Sequence, residues 1–120
     1  MFMIAIAALA VVQGPGPVTQ RQLSDARSAF DERLFDYPSA RFRETYGNGF
    51  LICGKVNAKN RLGAFIGWKR FALFAKRDDE PATLYVEDTD SSADVMLEIC
   101  DASASNTAGR DWSPEITYRR

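Results

Sequence analysis

The segment Arg41-Phe42-Arg43-Glu44-Thr45-Tyr46-Gly47-Asn48-Gly49-Phe50-Leu51-Ile52-Cys53-Gly54-Lys55-Val56-Asn57 decides how this chain folds. Gly47-Asn48-Gly49 separates two runs rich in aromatic and β-branched residues, and glycine and asparagine tolerate the positive φ of a tight reversal. An antiparallel hairpin is predicted. Beyond it, residues 58–63 read as a loop. Residues 64–74 are apolar and aromatic, and Leu62, Phe65, Ile66 and Leu73 also fit helical spacing. Gly63 and Gly67, together with Phe65, Trp68, Phe71 and Phe74, favour a strand there. Residues 76–81 form a charged turn, 83–87 a short strand and 88–94 a polar loop. A short helix is expected over 94–100, with Val95, Met96 and Ile99 directed inward.

On the other side of the hairpin lies a helix start. Thr19 and Gln22 have capping-box spacing, and Val18 and Leu23 have the spacing of a hydrophobic staple. Leu23, Ala26, Phe30 and Leu34 recur on one helical face, leaving Arg21, Asp25, Arg27, Asp31 and Glu32 for solvent. Pro38 pushes the preceding residue out of helical geometry, so the amphipathic helix covers about residues 20–35. Together these elements describe an α+β domain over residues 18–102. An N-terminal amphipathic helix crosses one face of a three- or four-stranded antiparallel sheet, and a short helix lies near the C-terminal end. Residues 103–120 are polar and small, a loosely ordered tail that Trp112 and Ile116 could dock. No internal repeat or interdomain linker interrupts the chain.

Composition restricts the chemistry. The chain has 120 residues, a net charge of −1, two cysteines and no histidine. Hydrophobic residues at 46% and charged residues at 26% are ordinary for a globular domain and argue against a disordered, collagenous or coiled-coil chain. Without histidine there is no imidazole-activated serine or cysteine, no Cys₂His₂ zinc site and no histidine switch. Two cysteines alone hold neither a structural zinc nor an iron–sulfur cluster. No cofactor and no metal are expected.

The compartment is read from both ends of the argument. Residues 2–12 are uncharged and apolar and precede Gln13-Gly14-Pro15-Gly16-Pro17. Eleven helical residues rise only about 16 Å, too little to span a bilayer. That length suits the apolar core of a signal peptide, and Ala8-Leu9-Ala10 matches an A-x-A processing site, although no Lys or Arg precedes the run. Residues 1–17 are therefore read as a signal peptide and Gly/Pro linker, with an N-terminal strand or buried helix as the alternative. Cys53 and Cys100, an even pair in a small chain with an export signal, are expected to form a disulfide. The loop it closes, about 48 residues, is worth roughly 4 kcal/mol in the chain-entropy description. Two separate buried thiols are the alternative if the protein stays in the cytoplasm.

The run Cys53-Gly54-Lys55-Val56-Asn57-Ala58-Lys59-Asn60, followed by Gly63-Ala64-Phe65-Ile66-Gly67-Trp68 and ending in Phe71, resembles a signature of small exported bacterial proteins of unknown function: C-G-x-V-N-x-K-N, then a glycine–aromatic repeat. Pro38-Ser39-Ala40-Arg41-Phe42-Arg43 is similar to the entry that accompanies it. The resemblance spans about residues 37–71, and Phe65 stands where a tyrosine is expected. It implies an exported, noncatalytic domain and names no substrate.

Several groups could carry function. Asn57, Lys59, Asn60 and Arg61, beside glycines that allow close approach and with Trp68 near, could bind a carboxylate, phosphate or sugar. The more common alternative is that both asparagines hydrogen-bond their own backbone and hold the turn, leaving Lys59 a solvated charge. Residues 88–94 alternate oxygen side chains as a calcium loop does, but Ala93 and Ile99 stand where that loop needs glycine and glutamate, so the stretch is read as a helix cap. Phe65, Trp68, Phe71 and Phe74 interleave with Lys69, Arg70, Lys76 and Arg77, a pattern that can serve single-stranded nucleic acid. The slightly acidic total charge and a strand's need for core aromatics argue against it. Glu44, Asp78, Asp79, Glu80 and Glu87 are generic carboxylates, and a domain this small seldom walls a catalytic cleft.

The sequence thus reads as a periplasmic or secreted, noncatalytic envelope binding or accessory module, not an enzyme. Its expected partner is an envelope protein or cell-wall component, without nucleic acid and without stable membrane insertion after processing. The alternatives are a small periplasmic inhibitor of a hydrolase such as lysozyme and a histidine-free carboxylate hydrolase.

Overall fold

A computed structural model describes residues 16–102 and 109–119. The signal-peptide reading of residues 1–17 and the A-x-A site lie almost wholly outside the described residues. Four strands form one antiparallel sheet in the order β1-β2-β3-β4: β1 Arg41–Gly47, β2 Leu51–Lys59, β3 Phe65–Phe74 and β4 Thr83–Val86. Each strand pairs with the next in sequence, so every connection is a hairpin. At the first reversal, the Asn48 carboxamide accepts the Phe50 and Leu51 N–H groups, and the pairing opens at Gly47↔Ile52.

Helix α1, Gln20–Arg33, ends two residues before the expected boundary. Its cap is the one the sequence spells: the Thr19 hydroxyl accepts the Gln22 N–H at 3.1 Å, and the Gln22 carboxamide accepts the Thr19 N–H at 2.9 Å. Leu23, Ala26 and Phe30 are buried against one sheet face, with Ile52, Val56, Phe71, Leu73, Leu84 and Val86. Phe30 stands edge-on to Phe42 and Phe71, at centroid distances of 4.8 and 5.0 Å. Gly54 lies in this face because a Cβ there would come within 2.6 Å of the Thr45 hydroxyl oxygen and 2.8 Å of the Phe71 ring.

Helix α2, Ala93–Ala102, covers part of the opposite face and is bonded to β2 by the Cys53–Cys100 disulfide, Cα–Cα 6.0 Å. The inward residues are Ala93 and Leu97, packed with Leu51, Ala72 and Cys100. This corrects the expectation for Val95, Met96 and Ile99: Val95 is 61% exposed and Ile99 is also exposed, with Met96 half-buried. The cross-link fixes the rotation. Cys100 must face β2, and positions three and seven residues earlier share its face.

Residues 109–119, assigned from sequence to a loose tail, pack onto the domain. Helix α3, Ser113–Ile116, places Ile116 in the α1-side core. Tyr37, in a short 3₁₀ turn over Tyr37–Ser39, donates its hydroxyl to the Ile116 carbonyl, and burial pushes its pKa up to about 12, so it remains a donor. Strand β1 bulges between Arg43 and Tyr46, with Glu44 at φ 51°. The Asp111 carboxylate accepts the freed Glu44 and Thr45 N–H groups at 3.2 and 3.0 Å, and the Thr45 carbonyl accepts the Trp112 N–H at 2.7 Å. At the other edge, Arg33 donates to the Leu84 carbonyl at 2.8 Å, while Asp90 accepts the Val86 N–H at 3.0 Å.

Asp111 makes the docking pH-dependent. Partial burial opposes its ionisation, but hydrogen bonds from Ser113, Thr45 and Glu44 outweigh this and hold its carboxyl below the ordinary value. A carboxyl depressed in the folded state stabilises above its unfolded pKa, near 3.9, and the contribution is lost as pH falls through the folded value. Asp111→Asn is therefore expected to cost about 1 kcal/mol near neutrality, the ordinary net worth of such bonds at a solvent-facing group. Below about pH 3 the melting temperatures of variant and wild type should converge. A constant difference from pH 7 to pH 2.5 would show that the charge of Asp111 plays no part.

Candidate functional site

Helix α2 covers only part of the outer sheet face. The residues of the uncovered part are set by the period-two alternation of the strands. Phe42 and Val56 point to α1, so Arg41 and Arg43 on β1, Lys55, Asn57 and Lys59 on β2, and Trp68 and Arg70 on β3 share the outer face. Register brings Arg43 opposite Lys55, Lys55 opposite Arg70, and Asn57 opposite Trp68. The cations do not repel freely, because each is laid on a ring or a carboxylate. The Arg43 guanidinium lies 4.1 Å from the Trp68 ring centroid, Arg41 lies 4.5 Å from Phe65, and the Lys59 ammonium lies 5.4 Å from Phe65. Contacts of this kind are worth about 0.5–1 kcal/mol each at exposed sites.

Carboxylates neutralise only part of the face. Glu44 meets Arg43 and Lys55 at 3.3 and 3.4 Å, and Arg70 meets Glu87 and Asp101 at 3.5 and 3.3 Å. Arg41, Lys59 and Arg61 have no carboxylate within ion-pair distance among the described residues. The positive field is therefore strongest toward the β2–β3 turn.

The asparagines have a different job from the cations. The Asn57 carboxamide oxygen accepts the Gly67 N–H at 3.0 Å, where β3 carries an extra residue and Gly67 takes φ 98°. A bulge of this shape favours glycine, and Asn57 satisfies the donor that it frees. The Asn60 carboxamide oxygen accepts the Leu62 and Ala64 N–H groups at 2.9 and 3.1 Å. Both side-chain oxygens thus accept backbone N–H groups, that of Asn60 within its own turn and that of Asn57 across to β3. Lys59 and Trp68 stand on the outer face. Arg61 leaves it at the turn, where its guanidinium lies 6.0 Å from the Phe35 ring. Arg41 and Arg43 were not singled out from sequence, although their alternation with Phe42 carries the signal.

Several of the remaining polar groups pair with cations in this geometry. Asp88 pairs with Lys69 at 2.7 Å, and Asp90 pairs with Arg33 at 2.9 Å, so the loop once compared with a calcium site ties β3 and α1 to the end of β4. Glu44 and Glu87 are engaged by cations, and Asp78, Asp79 and Glu80 lie in the β3–β4 turn. The hollow beside the disulfide, bordered by Glu44, Gly54, Arg70 and Leu97, holds about 180 Å³. Among the described residues, no helix is long and apolar enough to cross a membrane. No protein family, curated protein or solved structure matches this chain.

Proposed function

We propose that this protein is a noncatalytic binding or accessory module of the cell envelope, exported to the periplasm or beyond, that recognises an anionic component through the outer face of β1, β2 and β3. The observation that carries the reading is the cluster Arg41, Arg43 and Lys59 on the rings of Phe65 and Trp68, with Arg41 and Lys59 lacking acidic partners among the described residues, on a chain whose total charge is −1. Positive charge gathered on one face of a slightly acidic protein steers anionic partners to that face. Stacked rings hold the guanidinium groups extended, so less entropy is lost when they bind. Export is supported by the apolar run at residues 2–12, the Cys53–Cys100 bond and the resemblance to small exported proteins.

A hydrolase inhibitor is the second reading. It draws on Arg61, which is exposed at the β2–β3 turn where it could enter an acidic cleft.

The proposal is tested by retention on isolated cell envelopes of the native host. Retention should fall steeply between 50 and 300 mM salt (about a Debye-length change from 14 to 6 Å), and Arg41→Gln/Lys59→Gln should weaken it by roughly tenfold at low salt. Neither residue has a carboxylate partner to strand, so the fold should be unaffected. Retention indifferent to both salt and substitution would sink the reading.

A further inference from the structure

The β2–β3 turn carries an unused feature: its apolar groups are outside the core. Leu62 is 91% exposed, Ile66 46%, and Phe35, brought alongside by the end of α1, 62%. Phe65 is exposed on the outer face under Arg41 and Lys59, whereas Phe35 arrives from the α1 side and sits under Arg61. The tip is therefore apolar on both of its flanks, with three cations, Arg41, Lys59 and Arg61, around it. A narrow cleft in a protein would need one apolar flank; a tip greasy on both sides and ringed with positive charge matches a continuous surface that is apolar within and anionic at its rim.

We propose that the β2–β3 tip is an anchor that seats reversibly in the interface of an anionic lipid bilayer, with Leu62 and Ile66 among the upper acyl chains and Arg41, Lys59 and Arg61 at the phosphates. This rests on the reading above that the same face binds an anionic envelope component, and names that component. Trp68, half-buried on the outer face next to the tip, stands at headgroup level, where amphipathic rings settle. Each cation near such a surface is worth about fivefold in affinity, so three supply on the order of a hundredfold. Alone that is weak, transient adsorption. The apolar tip adds the rest, because burying a leucine-sized side chain is worth about tenfold or more.

The test is co-sedimentation of the protein, as isolated from its native host, with vesicles of equal parts phosphatidylglycerol and phosphatidylcholine, and with phosphatidylcholine alone. Leu62→Ser/Ile66→Ser touches only exposed side chains and should fold as the wild type. Binding to the mixed vesicles alone, reduced about tenfold or more in the double variant, is the expected result. Binding that the double variant retains would mean adsorption by charge without insertion and would overturn the anchor. Retention on native envelopes without vesicle binding would overturn the lipid assignment and leave the proposed function standing, and loss of both would remove both.

Discussion

Replacing Phe30 with alanine is expected to lower stability by about 3–5 kcal/mol, the range for removing a fully buried aromatic ring. Domains of this size hold about 5–15 kcal/mol in all, so the melting temperature should fall by well over 10 °C. The size of the effect follows from where the ring sits. Phe30 is 0% exposed and touches three elements at once: Phe42 of β1, Phe71 of β3, and Tyr37, whose ring lies 6.4 Å away. Tyr37 in turn holds the Ile116 carbonyl. The cavity left by alanine would open where α1, the sheet and α3 converge. Equilibrium denaturation in urea measures the loss. A cost below about 1 kcal/mol would mean that the helix–sheet interface is not the main core.

Opening the Cys53–Cys100 bond is the second large effect. The residues lie 47 apart in sequence, and removing such a link typically costs about 2–5 kcal/mol. The loss should be uneven. Helix α2 buries only Ala93 and Leu97, so the covalent bond is its main tie to the outer face, whereas α1 is held by the larger apolar cluster. Cys53→Ser/Cys100→Ser should therefore lower the melting temperature and raise amide exchange over residues 93–102 most strongly, with residues 22–30 protected until global unfolding. Uniform acceleration across both helices would show that the bond stabilises only through the unfolded chain.

What the sequence made legible was local. The Gly47-Asn48-Gly49 reversal, the Thr19–Gln22 capping box and the aromatic run of β3 each encode their element within a few residues, and the structure places all three as expected. What stayed hidden depends on partners far along the chain. The rotation of α2 is set by a bond to Cys53, so hydrophobicity alone pointed Val95 and Ile99 inward. The docking of residues 109–119 depends on Asp111 meeting a bulge in β1, and no property of the tail's composition announces that. The proposed binding face was half legible. Lys59 and Trp68 follow from the signature region, and the backbone role of Asn57 and Asn60 was one of the two readings their chemistry allowed. Arg41 and Arg43 join them only once register is known, because a cross-strand neighbour is a fact about pairing rather than about sequence.

The two outer strands of the sheet have one more consequence. A free strand edge is an invitation to polymerise, because its unpaired N–H and C=O groups template another strand. Here Asp111 and Trp112 occupy the middle of one edge, and Arg33 and Asp90 occupy the other. An incoming strand finds its ladder interrupted on either side. Blocking both edges in this way opposes growth of the sheet from one copy to the next.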